Sequence, residues 1–171
     1  MNISDLNAQG LVFTAMNQAG ATVTLINTST ATGFILSNPW GSGKKLVLWQ
    51  VDFNYTTVPA AAALIFGAIS VAPSPIAMAT GTALDVVGAD GTGVTNRSVA
   101  RAYNAVTTPN LPRYAFTLGY SPTTPATASG LTVRAALNGA YILVPGSYMQ
   151  ISYITTAPVG IGSALWAELP L

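Results

Sequence analysis

The chain has no cysteine and no histidine, and only six Lys and Arg and five Asp and Glu among its 171 residues. Without cysteine there is no disulfide, and the redox compartment leaves no mark. The same two absences remove the usual general base, the thiol nucleophile and the preferred zinc and iron ligands. The scarcity of charge is as informative. A folded monomer of this length exposes about 7,900 Å², which would set its charges roughly 700 Å² apart. Ordinary soluble domains are about one quarter charged, against 6% here. So bare a surface is expected to be covered by other protein. A net charge of +1 offers no basic cluster for nucleic acid. Composition therefore favours a structural, self-associating role over catalysis, with no cofactor and no metal.

Membrane insertion and secretion are not expected either. The opening MNISDLNAQG has no basic stretch followed by a long apolar one, so a cleaved signal is not expected. The apolar run 60–72 is bounded by Pro59, Pro73 and Pro75. It falls short of the about 20 residues of a membrane helix, and reads as a buried strand.

What the chain does have is period-two alternation and turn chemistry. Val47, Trp49, Val51, Phe53 and Tyr55 alternate with Gln50, Asp52 and Asn54, as in a half-buried strand whose apolar face holds Trp49. Tyr114, Phe116, Leu118 and Tyr120 form a second such run, Leu131, Val133, Ala135 and Leu137 a third, Met149, Ile151 and Tyr153 a fourth. Further strands are expected at 11–16, 21–26, 34–36 and 165–169. Asn138-Gly139 reads as a hairpin turn between strands 131–137 and 140–144. Pro145-Gly146 reads as the centre of a type II turn. Sixteen Gly and 11 Pro punctuate the rest.

Segment 97–106 fits two patterns. Val99, Ala102, Tyr103 and Val106 have helical spacing after an Asn96 cap, whereas Val99, Arg101, Tyr103 and Ala105 would share one face of a strand. A loop or short helix is the favoured alternative. The regions 73–96 and 121–130 read as long loops. About nine strands in one domain, 1–171, point to an all-β antiparallel sandwich or jelly roll. Residues 1–10 are a candidate N-terminal arm.

Motifs that could carry chemistry fail on inspection. Gly41-Ser42-Gly43-Lys44-Lys45 lacks the phosphate-loop spacing, with Asn38 and Lys45 at the positions of the first Gly and the final Ser or Thr, and it precedes a strand. Its plain reading is an exposed turn whose lysines aid solubility or reach a neighbouring subunit. Asp85 and Asp90 are too sparse for calcium. Asp52 has no nominated partner for glycoside hydrolysis. Ser42 and Lys44, close neighbours on a turn, do not make a nucleophile and its base. Trp40, in a loop, is either edge packing or an interface anchor, and Trp166 could cap the sheet.

The run Thr32-Gly33-Phe34-Ile35-Leu36-Ser37-Asn38-Pro39, followed by Gly41-Ser42-Gly43-Lys44 and Leu46-Val47-Leu48, resembles small virion proteins of tailed bacteriophages. The likeness continues at Asn96-Arg97-Ser98-Val99-Ala100-Arg101-Ala102-Tyr103, at Leu143-Val144-Pro145-Gly146-Ser147-Tyr148 and in the closing Trp166-Ala167-Glu168-Leu169-Pro170-Leu171. It spans most of the chain after about residue 30. The resemblance implies a jelly-roll decoration or cement protein, often a homotrimer. Such a protein is clamped on the major capsid protein of the virion and made in the host cytoplasm without a signal. On this reading Trp40, Lys44, Lys45 and Arg97 lie exposed or at subunit boundaries. The first 30 residues would add a strand pair or an arm to a neighbour. The rival expectation is a head-fibre, tail-fibre or spike module that binds a host glycan, with Tyr114 and Tyr120 as its aromatics.

Overall fold

Alternating apolar residues place most strands where expected, in two sheets whose inner faces meet. The computed structural model describes residues 2–26, 28–57, 61–71, 81–92, 97–108, 110–120 and 131–171. The first sheet contains β1 (Val12–Met16), β2 (Ala21–Thr22), β5 (Lys44–Thr57), β8 (Val86–Gly88), β11 (Thr132–Leu143) and β13 (Val159–Pro170). Its order is β11-β5-β13-β1-β8, with β2 pairing β13. The second contains β3 (Thr24–Leu25), β4 (Thr30–Ser37), β6 (Leu64–Val71), β7 (Gly81–Leu84), β9 (Arg101–Thr107), β10 (Arg113–Tyr120) and β12 (Ser147–Ile154). It runs β10-β6-β12-β4-β9-β7, with β3 on β12. Among the described residues every pairing is antiparallel except the short β3–β12 contact. The chain is thus an all-β sandwich.

The two inner faces supply one core. Phe34, Leu36, Met149 and Ile151 of the second sheet meet Phe53 and Trp166 of the first. Trp166 is fully buried and stacks on Phe13 with ring centroids 6.5 Å apart, so it belongs to the core rather than capping the sheet. Each buried side chain of this kind contributes about 1.5–3 kcal/mol. The exposed area, 7726 Å², is what a compact monomer of this size should have.

Strand β5 departs from the expected alternation. Leu46 and Leu48 face the core, then Val51, Phe53 and Tyr55 do. The phase slips at Trp49. Along β13, Trp166 faces Leu48 and Leu165 faces Gln50, which leaves Trp49 as an extra residue in a β-bulge. Val47 and Trp49 therefore lie on the outer face and are not core. There they pack with Leu6, Val12 and Ala167. Leu6 belongs to α1 (Ile3–Ala8), which starts at Asn2, whose side chain accepts from the Ser4 N–H. The opening residues thus fold back on their own sheet rather than reaching away as an arm.

Asn138-Gly139 makes no hairpin. β11 runs straight through it and pairs with β5 on both sides, Ala136 opposite Gln50 and Tyr141 opposite Leu48. Residues 137–140 stand opposite Trp49 alone. The positive φ values, 50° at Asn138 and 83° at Gly139, suit a tight hairpin but here accommodate extra residues inside one strand.

Segment 101–107 is strand β9, not a helix or loop, and the expected cap Asn96 lies outside the described residues. β9 sits between β4 and β7 and is buried on both faces. Ala102 faces the core, while Tyr103 and Val106 join Ile35 and Tyr148 on the other side. Burial on both sides erases alternation and leaves a spacing that mimics a helix. The expected strand 21–26 is split between the sheets, with Val23 buried at the crossing. Region 73–96, read as loop, contributes β7 and β8; residues 72–80, 93–96 and 121–130 lie outside those described.

Candidate functional site

Residues from 32–48, 97–103, 143–148 and 166–171 converge at one corner of the sandwich. Asn38, fully buried at the end of β4, is its hub. Its amide nitrogen donates to the Lys44 and Leu143 carbonyls, each at 2.8 Å. Its backbone N–H donates to the Ser147 carbonyl at 2.9 Å, and its carbonyl accepts from Gly146 N–H at 2.8 Å. One residue thereby ties the β4–β5 loop to the β11–β12 turn. That turn matches expectation: Ser147 N–H donates to the Val144 carbonyl at 3.0 Å around Pro145-Gly146, with φ of 84° at Gly146.

Glu168 closes the same corner from β13. It follows Trp166 on the inward phase and is fully buried. Its carboxylate accepts from Ser98 Oγ at 2.5 Å, from Val99 N–H at 3.0 Å and from Ala100 N–H at 3.3 Å. Lys44 Nζ completes the set at 3.1 Å. Lys44 is therefore held by its own chain rather than being a solubility group.

Arg97 is also paired internally. It donates to Asp90 at 2.5 Å and to Thr92 Oγ1 at 3.2 Å. It lies so close over Gly88 that a Cβ there would come within 2.2 Å of its Nη2. The Arg97 hydrogen bond, helped by those from Thr92, holds the Asp90 carboxyl down at about 2. Since the unfolded value is near about 3.9, this stabilisation is complete above it and is lost as pH falls through about 2. Asp90→Asn should accordingly be less stable than the parent chain near neutrality. In denaturant melts that difference should close as pH approaches about 2.

The corner's outward surface is apolar. Trp40 is 49% exposed, and its ring lies over Gly146, where a Cβ would sit 2.4 Å from Trp40 Cε2. Val144 is exposed beside that turn, and Leu171 is exposed next to the loop, its N–H donating to the Gly43 carbonyl at 3.3 Å. Lys45, opposite Leu169 in the ladder, makes no ion pair among the described residues. Of the four residues expected to be exposed or at subunit boundaries, Trp40 and Arg97 are exposed and Lys44 and Lys45 partly so, while Lys44 and Arg97 are also paired within the chain.

Tyr114 and Tyr120 are both exposed on β10, but six residues of strand separate them by about 20 Å, too far for one sugar-stacking platform. Asp52 pairs with Arg134 at 2.7 Å and accepts from Gln50 at 2.6 Å. Sequence reasoning missed Asn38 and Glu168. For Glu168 the signal was present: a carboxylate in phase with a core Trp must find partners. Comparison with protein-family models, curated proteins and solved structures gave no match to this chain.

Proposed function

We propose that this chain is a structural subunit of a tailed-phage virion, a decoration or cement protein that stabilises the head. It associates with its own copies as a homotrimer and seats on the major capsid protein, assembling in the host cytoplasm. The observation that carries this reading is the corner itself. A dense set of buried bonds through Asn38 and Glu168 fixes a surface on which Trp40, Val144 and Leu171 stand outward. A rigid aromatic among apolar neighbours is the usual anchor of a protein interface. Charge distribution supports the same reading. The pairs Lys44–Glu168, Arg97–Asp90 and Arg134–Asp52 engage more than half of the scarce charges internally.

The strand order favours the jelly-roll form of the sandwich. Take β1, β4, β5, β6, β10, β11, β12 and β13 as strands one to eight. The sheets then read 1-8-3-6 and 2-7-4-5, the order of a double Greek key common among capsid domains. On that assignment β7, β8 and β9 are an insertion between strands four and five. They extend both sheets beyond β1 and β4.

Attachment would rest on many weak contacts acting together. Quantitative mass spectrometry of purified particles tests the role. Copies near stoichiometric with the shell protein are expected, whereas a few tens per particle would indicate a fibre or tail component. Trp40→Ala should leave the melting temperature nearly unchanged, because half the ring is already in water. It should weaken each attachment by about 2 kcal/mol, or about thirtyfold, read as release from particles at milder salt or denaturant. Unfolding of the isolated variant would make Trp40 a packing residue instead.

A further inference from the structure

Five charged side chains make neither an ion pair nor a hydrogen bond among the described residues: Asp5, Lys45, Asp85, Arg101 and Arg113. In so uncharged a chain their placement is informative, and two of opposite sign line the same cavity. It has a volume of about 490 Å³ and opens where β7, β8 and β9 meet. Asp85 is the residue at which the chain steps from β7, the last strand of one sheet, to β8, the last strand of the other. Arg101 begins β9 alongside. Most of the remaining lining is apolar, with small Gly81, Ala83, Ala100 and Ala102 beside Leu84, Val86 and Tyr103. Ser98 also lines the cavity, but its hydroxyl is already donating to Glu168 and accepting from Ala100 N–H.

We propose that this cleft binds a neutral saccharide. Its volume lies within the range of small-ligand sites. A carboxylate offers only acceptors and a guanidinium only donors. A ligand of either net charge would be attracted by one and repelled by the other. A polyhydroxyl compound satisfies both, because each hydroxyl donates and accepts. Charge-assisted bonds to Asp85 and Arg101 would fix it. The site stands on its own and does not depend on the shell reading.

The test is titration of the whole chain with glucose, galactose, N-acetylglucosamine and their disaccharides, followed by amide chemical shifts. Concentrations up to about 100 mM would saturate even a millimolar site. At least one sugar should give saturable shifts confined to residues 81–86 and 98–103. Asp85→Asn and Arg101→Gln should each weaken binding about tenfold or more while the melting temperature holds, since neither side chain has a partner among the described residues. Glycine betaine, a zwitterion, and glucuronate, an anion, are the comparison ligands. Absence of saturable shifts with every sugar, binding that survives both substitutions, or tighter binding of betaine or glucuronate would each overturn the proposal.

Discussion

Glu168→Ala is expected to destabilise the protein by about 3–5 kcal/mol, a fall of about 6–20 °C in melting temperature for a domain of this size. The carboxylate is fully buried and is the shared acceptor for Ser98 Oγ and for the Val99 and Ala100 N–H groups. Removing it leaves Val99 N–H and the Ser98 hydroxyl without that acceptor, while Ala100 N–H keeps Ser98 Oγ, and an unmet buried donor costs about 1–3 kcal/mol. The Lys44 ion pair is the smaller contributor. Its side chain is 32% exposed, so the ammonium can turn to solvent when the carboxylate is gone. Lys44→Met removes only that pair and leaves the Ser98, Val99 and Ala100 donors on the carboxylate, so it should cost less than Glu168→Ala. Equal losses in the two variants, measured by chemical denaturation, would mean that the ion pair and not the neutral donors holds the corner. Proteolysis should report the same event locally, because among the described residues the hydrogen bonds from 98–100 to β13 all go to Glu168.

Asn38→Asp should be comparably harmful, and its damage should depend on pH in an unusual direction. The exchange keeps the shape of the side chain but replaces its donating nitrogen by an oxygen. That oxygen would face the Lys44 and Leu143 carbonyls at hydrogen-bond distance. A carboxylate there is buried, unpaired and opposed by two carbonyl dipoles, a cost of about 3–5 kcal/mol. Burial raises the folded-state pKa of the new carboxyl above its unfolded value. The protonated form is therefore preferred in the fold, and it can donate one of the lost bonds. The sign follows: the penalty is full above the raised folded value and falls away as pH drops to the unfolded value, about 3.9. Mild acid should narrow the gap to the parent chain, whereas for Asn38→Ala the gap should be independent of pH. A variant that weakens steadily with acid would place Asn38 somewhere other than between two carbonyls.

The class of fold was legible because most strands have one wet face. In 114–120 and 149–153 a two-residue rhythm survives, and those segments are strands β10 and β12, although in β12 the polar Gln150 and Ser152 are themselves buried. Legibility failed where that asymmetry does. Trp49 continues the rhythm of Val51 and Phe53 in the sequence, yet a single inserted residue turns it to the opposite face, under α1. Nothing local marks such a slip, since it depends on which strand lies alongside. β9 was obscured by burial on both faces. Asn138-Gly139 shows the converse: its positive torsions are those of a tight turn, but torsions do not say whether the chain reverses or merely bulges. The corner was half legible. The motifs Asn38–Lys44 and Val144–Ser147 were visible as turns. Their joining through one buried amide is a long-range contact that no spacing encodes.

The bulge shared by β5 and β11 has a bearing on how copies of the chain can meet. β11 is 12 residues long and ends its sheet. A straight edge of that length is a template on which another molecule can add a strand, and repetition of that step gives fibres. Here the ladder with β5 shifts register near its middle, where residues 137–140 stand opposite Trp49 alone, and such a bulge sharpens the local twist. No incoming strand can stay in register along the whole edge. Growth by strand addition along this edge is thereby blunted.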